Sequence, residues 1–140
     1  MSNSPKIYLY RRVLNAKLFI EQHYHEPIDL NVISGEALFS KFHFVRIFKS
    51  AYGKTPHQYL IQVRVEKAML LLQAAMPVSN VCFSVGFESV SSFTTLFRNM
   101  TGKTPALYQQ EQLERQKQLK AAPLKFVPNC FAEKNGWAKQ

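Results

Sequence analysis

Apolar residues recur at helical spacing in Phe44, Ile47, Phe48 and Ala51, and again in Phe93, Leu96, Phe97 and Met100. Positions i, i+3, i+4 and i+7 lie on one face of a helix, so each run predicts a helix with that face turned to a core. Ser40 and Ser89 stand just ahead of the two stripes as N-cap candidates, because their hydroxyls can accept from a backbone N–H of the first turn. A shorter apolar pattern precedes each cap: Leu30, Ile33, Ala37 and Leu38 after Asp29, and Val78, Val81, Cys82 and Val85 in the second case. Each unit therefore reads as a short helix, a tight turn and a longer helix.

The two units are copies of each other. GKTPHQY at residues 53–59 returns as GKTPALY at residues 102–108, 49 positions on. In each copy a Gly that tolerates positive φ ends one helix, and Thr-Pro supplies the N-cap and first position of the next. At the same offset Ser40 matches Ser89, Phe44 matches Phe93, Phe48 matches Phe97 and Tyr59 matches Tyr108. Upstream the offset slips to 48, so the second copy carries one extra residue, Glu88, where a turn is expected. Between the units, Pro56 to Gln73 has no Gly and no further Pro. That stretch predicts one long linking helix with a mostly apolar face of Tyr59, Leu60, Val63, Lys67, Leu70 and Leu71. The fold class is all-α. The expected organisation is a first lobe over residues 7–55, a linker helix over 56–76, a second lobe over 77–120 and a tail over 121–140.

Composition narrows the partners. The chain has 140 residues, 46% of them hydrophobic, with 18 Lys and Arg against 9 Asp and Glu, a net charge of +9. That balance suits nucleic acid or another anionic surface, although by itself it is equally the mark of a solvated surface. The longest purely apolar run, Ala68 to Leu72, is too short to cross a bilayer, and Met1-Ser-Asn-Ser-Pro-Lys6 lacks the apolar segment of a secretion signal. The expectation is a cytoplasmic protein with no membrane contact. Cys82 and Cys130 have no metal-ligand spacing, and no disulfide is expected. No Ser or Cys has an evident base and orienter, the His23-Tyr24-His25 stretch reads as solvated, and Gly-rich phosphate signatures are missing. The sequence thus predicts no enzyme, no catalytic residue, no metal and no cofactor.

The faces opposite the Phe stripes are free for other work. On the first helix that face carries Lys41, Phe42, Val45, Arg46 and Lys49; on the second, Val90, Ser91, Thr94, Thr95 and Arg98. A short helix, a tight turn and a capped basic helix is the layout of a helix-turn-helix, whose second helix enters the major groove of duplex DNA. The candidate base contacts are Lys41, Phe42, Val45 and Arg46 in the first unit and Val90, Ser91, Thr94 and Thr95 in the second. Ser40, Lys49, Ser89 and Arg98 are the candidate backbone contacts. The competing reading is a helical protein-interaction module whose basic charge serves only its surface.

The chain resembles the DNA-binding domain of the AraC/XylS transcription regulators. Arg64-x-x-x-Ala68-x-x-Leu71-Leu72 follows the first unit, and Gly86-Phe87, Phe93, Phe97, Gly102, Pro105 and Tyr108 mark the second, the likeness running from about Val13 to Tyr108. Ser40-Lys41-Phe42-His43-Phe44 is especially similar to stand-alone members of the family. The resemblance implies a bacterial transcription regulator with homeodomain-like tandem helix-turn-helix lobes and about seven helices, expected at the nucleoid as an activator with RNA polymerase as a second partner. Two linked units need no two-fold partner, so the expectation is a monomer on double-stranded DNA. The chain departs from the family pattern at Leu38, where a Gly is common, at Gln109, where an Arg is frequent, and at Thr95, where a long Arg is frequent. The ends lie outside the pattern: residues 5–12, with Lys6, Arg11 and Arg12, read either as a basic arm that touches phosphate or as a merely mobile one, and Phe126, Val127, Phe131 and Trp137 either fold back or present a partner surface.

Overall fold

The computed structural model describes residues 4–29 and 41–121. They form the helices α1 (Ser4–His23), α2 (Lys41–Tyr52), α3 (Pro56–Gln73), α4 (Val78–Ser84), α5 (Val90–Thr101) and α6 (Pro105–Ala121). The expected short helix around Leu30 to Leu38, the cap at Ser40 and the aromatic tail lie outside the described residues, as does Cys130. No described helix is long and apolar enough to cross a membrane.

The repeated GKTP segment builds the same joint twice. Gly53 and Gly102 adopt φ of +80° and +85°, and their N–H groups bond the carbonyls of Lys49 and Arg98 at 2.7 and 2.8 Å. These bonds close the ends of α2 and α5 where a side chain at Cβ would be strained. Thr55 then opens α3 with a capping box: its Oγ1 accepts from the Gln58 N–H at 3.1 Å, and the Gln58 Oε1 accepts from the Thr55 N–H at 2.9 Å. Thr104 caps α6 by its side chain alone, its Oγ1 accepting from the Leu107 N–H at 3.2 Å, since leucine at that position cannot return the second bond. In each joint the lysine reaches the second turn of the next helix, Lys54 to Gln62 and Lys103 to Glu111.

Two hydrophobic cores form, and α3 belongs to both. The first gathers Val13, Ala16 and Ile20 of α1, Phe44 and Phe48 of α2, and Leu60 and Val63 of α3. The second gathers Ile61, Val65, Ala68 and Leu72 of α3 with Val81, Cys82, Val85, Phe87, Phe93, Phe97 and Tyr108. The single apolar face expected for the linking helix is therefore corrected. Leu70 is 59% exposed, and the buried positions split between two sides, because a helix wedged between two cores must be apolar toward each. The stripe ends also differ from expectation: Ala51 is exposed and Met100 is 47% exposed. Cys82 is fully buried, and that burial pushes its thiol pKa up.

Residues 5–12, expected as a basic arm, belong to α1. Val13, Ala16 and Ile20 are its core face. Toward α3, Lys17 bonds the Glu21 carboxylate at 2.6 Å, and the Tyr59 hydroxyl donates to the same oxygen. These two donors, Lys17 foremost, hold Glu21 below the usual carboxylate range. Gln109 explains itself structurally: its Nε2 donates to the carbonyls of Leu72 and Met76 at 3.1 and 2.7 Å, tying α6 to the last turn of α3 and to the loop that follows it. Gln116 adds a bond to the Gln73 carbonyl at 3.0 Å.

Candidate nucleic-acid interface

Each paired helix buries two phenylalanines and turns a matching stripe outward. On α2, Phe44 and Phe48 are fully buried, whereas Phe42 is 82% exposed and Arg46 and Lys49 are exposed. On α5, Phe93 and Phe97 are fully buried, whereas Ser91, Thr95 and Arg98 are exposed. The two outward triplets occupy i, i+4 and i+7, and they correspond one to one at the repeat offset of 49. Equivalent places thus carry different chemistry: an aromatic ring and a guanidinium on α2 stand where α5 has two hydroxyls, and both triplets end in a cation.

The other candidate residues sit at the margins of these stripes. Val45 is half-buried against the first core, and Thr94 is half-buried on α5. Val90 is exposed at the first turn of α5. Ser89 is the N-cap of α5, its Oγ accepting from the Ser92 N–H at 3.1 Å. That bond occupies a lone pair and leaves the hydroxyl proton for an external acceptor. Ser40 and the side chain of Lys41 lie outside the described residues.

Sequence reasoning missed the surroundings of the joint. Lys54, His57 and Ile61 on one side and Leu96 and Met100 on the other line a groove of about 470 Å³ between α3 and α5. The GKTP repeat marked the turn, but nothing in a linear pattern shows that α5 lies across from it. Around His23-Tyr24-His25, the His23 Nδ1 is 3.0 Å from the Glu26 carboxylate and the His25 Nε2 is 3.7 Å from the same oxygen. These are contacts of a surface turn at the end of α1.

A helix-turn-helix domain model matches residues 33–111, more than half of the chain. The chain belongs to the AraC-type helix-turn-helix family. Among curated members it is 38% identical over 92 residues to the probable transcriptional regulator LumQ of Photobacterium leiognathi, covering 65% of this chain and 37% of that protein. It is 30% identical over 92 residues to the right origin-binding protein of Escherichia coli K12, covering 65% of this chain and 32% of that protein. The match therefore spans about a third of the length of these curated relatives. Among solved structures, the DNA-binding domain of the global transcriptional factor AdpA in complex with a target DNA is similar at a TM-score of 0.71 and 31% identity. That likeness covers 76% of this chain and 96% of that one. The family's helix-turn-helix model runs through both α2 and α5, so each outward triplet belongs to a helix of the matched domain.

Proposed function

We propose that this AraC-type chain binds double-stranded DNA sequence-specifically and regulates transcription, with α2 and α5 entering successive major grooves. The observation that carries the reading is the pair of matched outward triplets, Phe42-Arg46-Lys49 and Ser91-Thr95-Arg98, each held by a buried phenylalanine pair. The AdpA domain, similar over 76% of this chain, is a DNA-binding domain seen with its target. Residues 7–55 and 77–120 act as the two lobes and 56–76 as the linker. Two lobes on one chain need no two-fold partner, so the protein binds as a monomer to an asymmetric site, in the cytoplasm and on the nucleoid. RNA polymerase is the second partner of an activator of this kind.

Arg46 is the principal base reader. An arginine bidentate to guanine O6 and N7 is the commonest specific contact in a major groove, and Arg46 is the long donor at the centre of the α2 stripe. Phe42, and the exposed edge of Val45 beside it, would meet thymine methyls. Arg46→Ala is expected to cost about 1–3 kcal/mol on the preferred duplex and to relax selectivity at one base step. Titration of wild type and variant against that duplex and its single-base variants measures both, and unchanged affinity with unchanged preference contradicts the assignment.

Lys49 and Arg98 occupy equivalent places one turn beyond the readers, toward the backbone edge of each groove. Contacts there position the protein and carry no base information. Lys49→Ala and Arg98→Ala should each weaken all duplexes about equally and lower the slope of log K against log salt by about one. A loss confined to particular sequences would contradict the role.

A further inference from the structure

We infer that Arg64 and Gly86 form a clamp that fixes the rotation of the second helix-turn-helix lobe relative to the first, and so sets the half-site spacing the protein accepts. Arg64 is the buried charged residue among those described, 8% exposed. It projects from the middle of α3, and its partners belong to neither of the helices beside it in sequence. Its Nε donates to the Tyr24 carbonyl at 2.6 Å and an Nη donates to the Glu26 carbonyl at 2.8 Å. Both carbonyls belong to the turn that leaves α1, a part of the first core's framework. The guanidinium carbon also lies 5.8 Å from the centre of the Phe87 ring, and Phe87 belongs to the second core.

Gly86 closes the arrangement from the other side. It follows α4 with φ of +106°, and its N–H and that of Phe87 bond back to the Phe83 and Cys82 carbonyls at 3.3 and 3.1 Å, a Schellman end to the first helix of the second unit. A Cβ at this position would stand 2.8 Å from the Tyr24 carbonyl oxygen, 2.9 Å from the Arg64 Nε and 3.0 Å from its guanidinium carbon. Gly86 thus brings the second lobe's turn close against the Tyr24 carbonyl, leaving no room for a Cβ, with Arg64 bonded to that carbonyl and stacked near Phe87.

The chemistry suits a fixed joint. A buried guanidinium needs acceptors in its own plane and tolerates little displacement from them, because each lost bond leaves a desolvated donor. Burial lowers the Arg64 pKa, and the charge of Glu88 opposes that. Glu88 is the residue by which the second unit is longer than the first, and it lines the same groove as Arg64 and Gly86. Tyr24 packs its side chain against both cores, so the node ties the lobes together through contacts independent of the continuity of α3.

The consequence rests on the DNA-binding reading above. Two linked modules gain affinity together only when both can engage at once, and a base pair inserted between half-sites rotates the second groove about the duplex axis. A clamped pair should reject that rotation, and an unclamped pair should follow it. The test compares wild type, Arg64→Lys and Gly86→Ala on duplexes with the preferred spacing, with one base pair inserted, and with the first half-site alone. Lysine keeps the charge but cannot serve two carbonyls and a ring face from one plane. Wild type is expected to prefer its own spacing by about tenfold or more, and the variants by only about twofold. Binding to the first half-site alone should stay at the wild-type level. In parallel, spin labels attached through Ser50→Cys and Asn99→Cys, in a Cys82→Ala and Cys130→Ser background, report the distance between the equivalent exposed positions of α2 and α5 without DNA. That distance should be narrowly distributed with Arg64 and broadened in both variants. Retention of the wild-type spacing preference and label distribution in Arg64→Lys overturns the clamp, and so does an equal loss on the isolated half-site. Failure of wild type to prefer any duplex overturns the DNA-binding reading instead, and the label distances then decide the clamp alone.

Discussion

Scrambling the half-site read by α2 is expected to reduce binding to the level of bulk DNA, whereas scrambling the half-site read by α5 should cost much less. The asymmetry follows from the matched triplets. In the proposed assignment Arg46 offers a charged fork suited to a guanine edge, and Phe42 beside it is an exposed ring of a size to cover a thymine methyl. Their counterparts Thr95 and Ser91 offer only short hydroxyls, and Val90 and Thr94 only methyls and one more hydroxyl. Such groups discriminate weakly and act through water as readily as directly. Arg98 stands in place of Lys49, so under the proposed assignment the second lobe would keep a backbone contact while losing base discrimination. Competition titrations at one fixed salt concentration measure the effect, because non-specific affinity varies steeply with salt. Equal losses from the two scrambled halves would contradict the assignment of specificity to α2.

Phe97→Ala is expected to destabilise the fold by about 3–5 kcal/mol, a large part of the total stability of a domain this size. Phe97 is fully buried, and its ring lies edge-on to those of Phe93 and Tyr108, each at 5.6 Å between centres. The gap left behind would be walled by α3, α5 and α6, which cannot all close on it. Phe42→Ala on the first reading helix should change stability by no more than about 0.5 kcal/mol, since an exposed side chain takes no part in a core. Chemical denaturation followed by helicity measures both. Amide exchange should show protection lost first in α4, α5 and α6 for Phe97→Ala, because the first core of Val13, Ile20, Phe44 and Phe48 is untouched. A loss below about 1 kcal/mol for Phe97→Ala, or a comparable loss for Phe42→Ala, would contradict this division of the two faces.

The features legible in the sequence were those written twice. The Phe44/Phe48 and Phe93/Phe97 stripes, the Gly53 and Gly102 joints and the Thr55 and Thr104 caps each stand in two copies at one offset, and a local pattern with a local cause survives into the fold unchanged. The face of α3 was misread for a physical reason. Ile61, Val65, Ala68 and Leu72 form one helical stripe and Leu60 and Val63 another, so the periodicity of the whole helix averages toward no single face. Leu70, picked out by its hydrophobicity, points away from both. Arg64 was visible only as a residue of the family pattern. Its partners, the carbonyls of Tyr24 and Glu26, lie 40 and 38 positions away, and a backbone acceptor carries no sequence signal. α1 could have been found from Val13, Ala16 and Ile20, whose spacing is helical, but the basic residues around them drew attention to charge.

The measurement that bears most directly on the central claim is a selection of bound sequences from random duplexes at physiological salt, followed by footprinting of the selected site. The expected product is one asymmetric motif with two unequal halves about one helical turn, roughly 10 base pairs, apart, occupied by one protein per duplex and surviving excess bulk DNA. Recovery of no enriched sequence, or of a symmetric palindrome occupied by two proteins, would contradict the account.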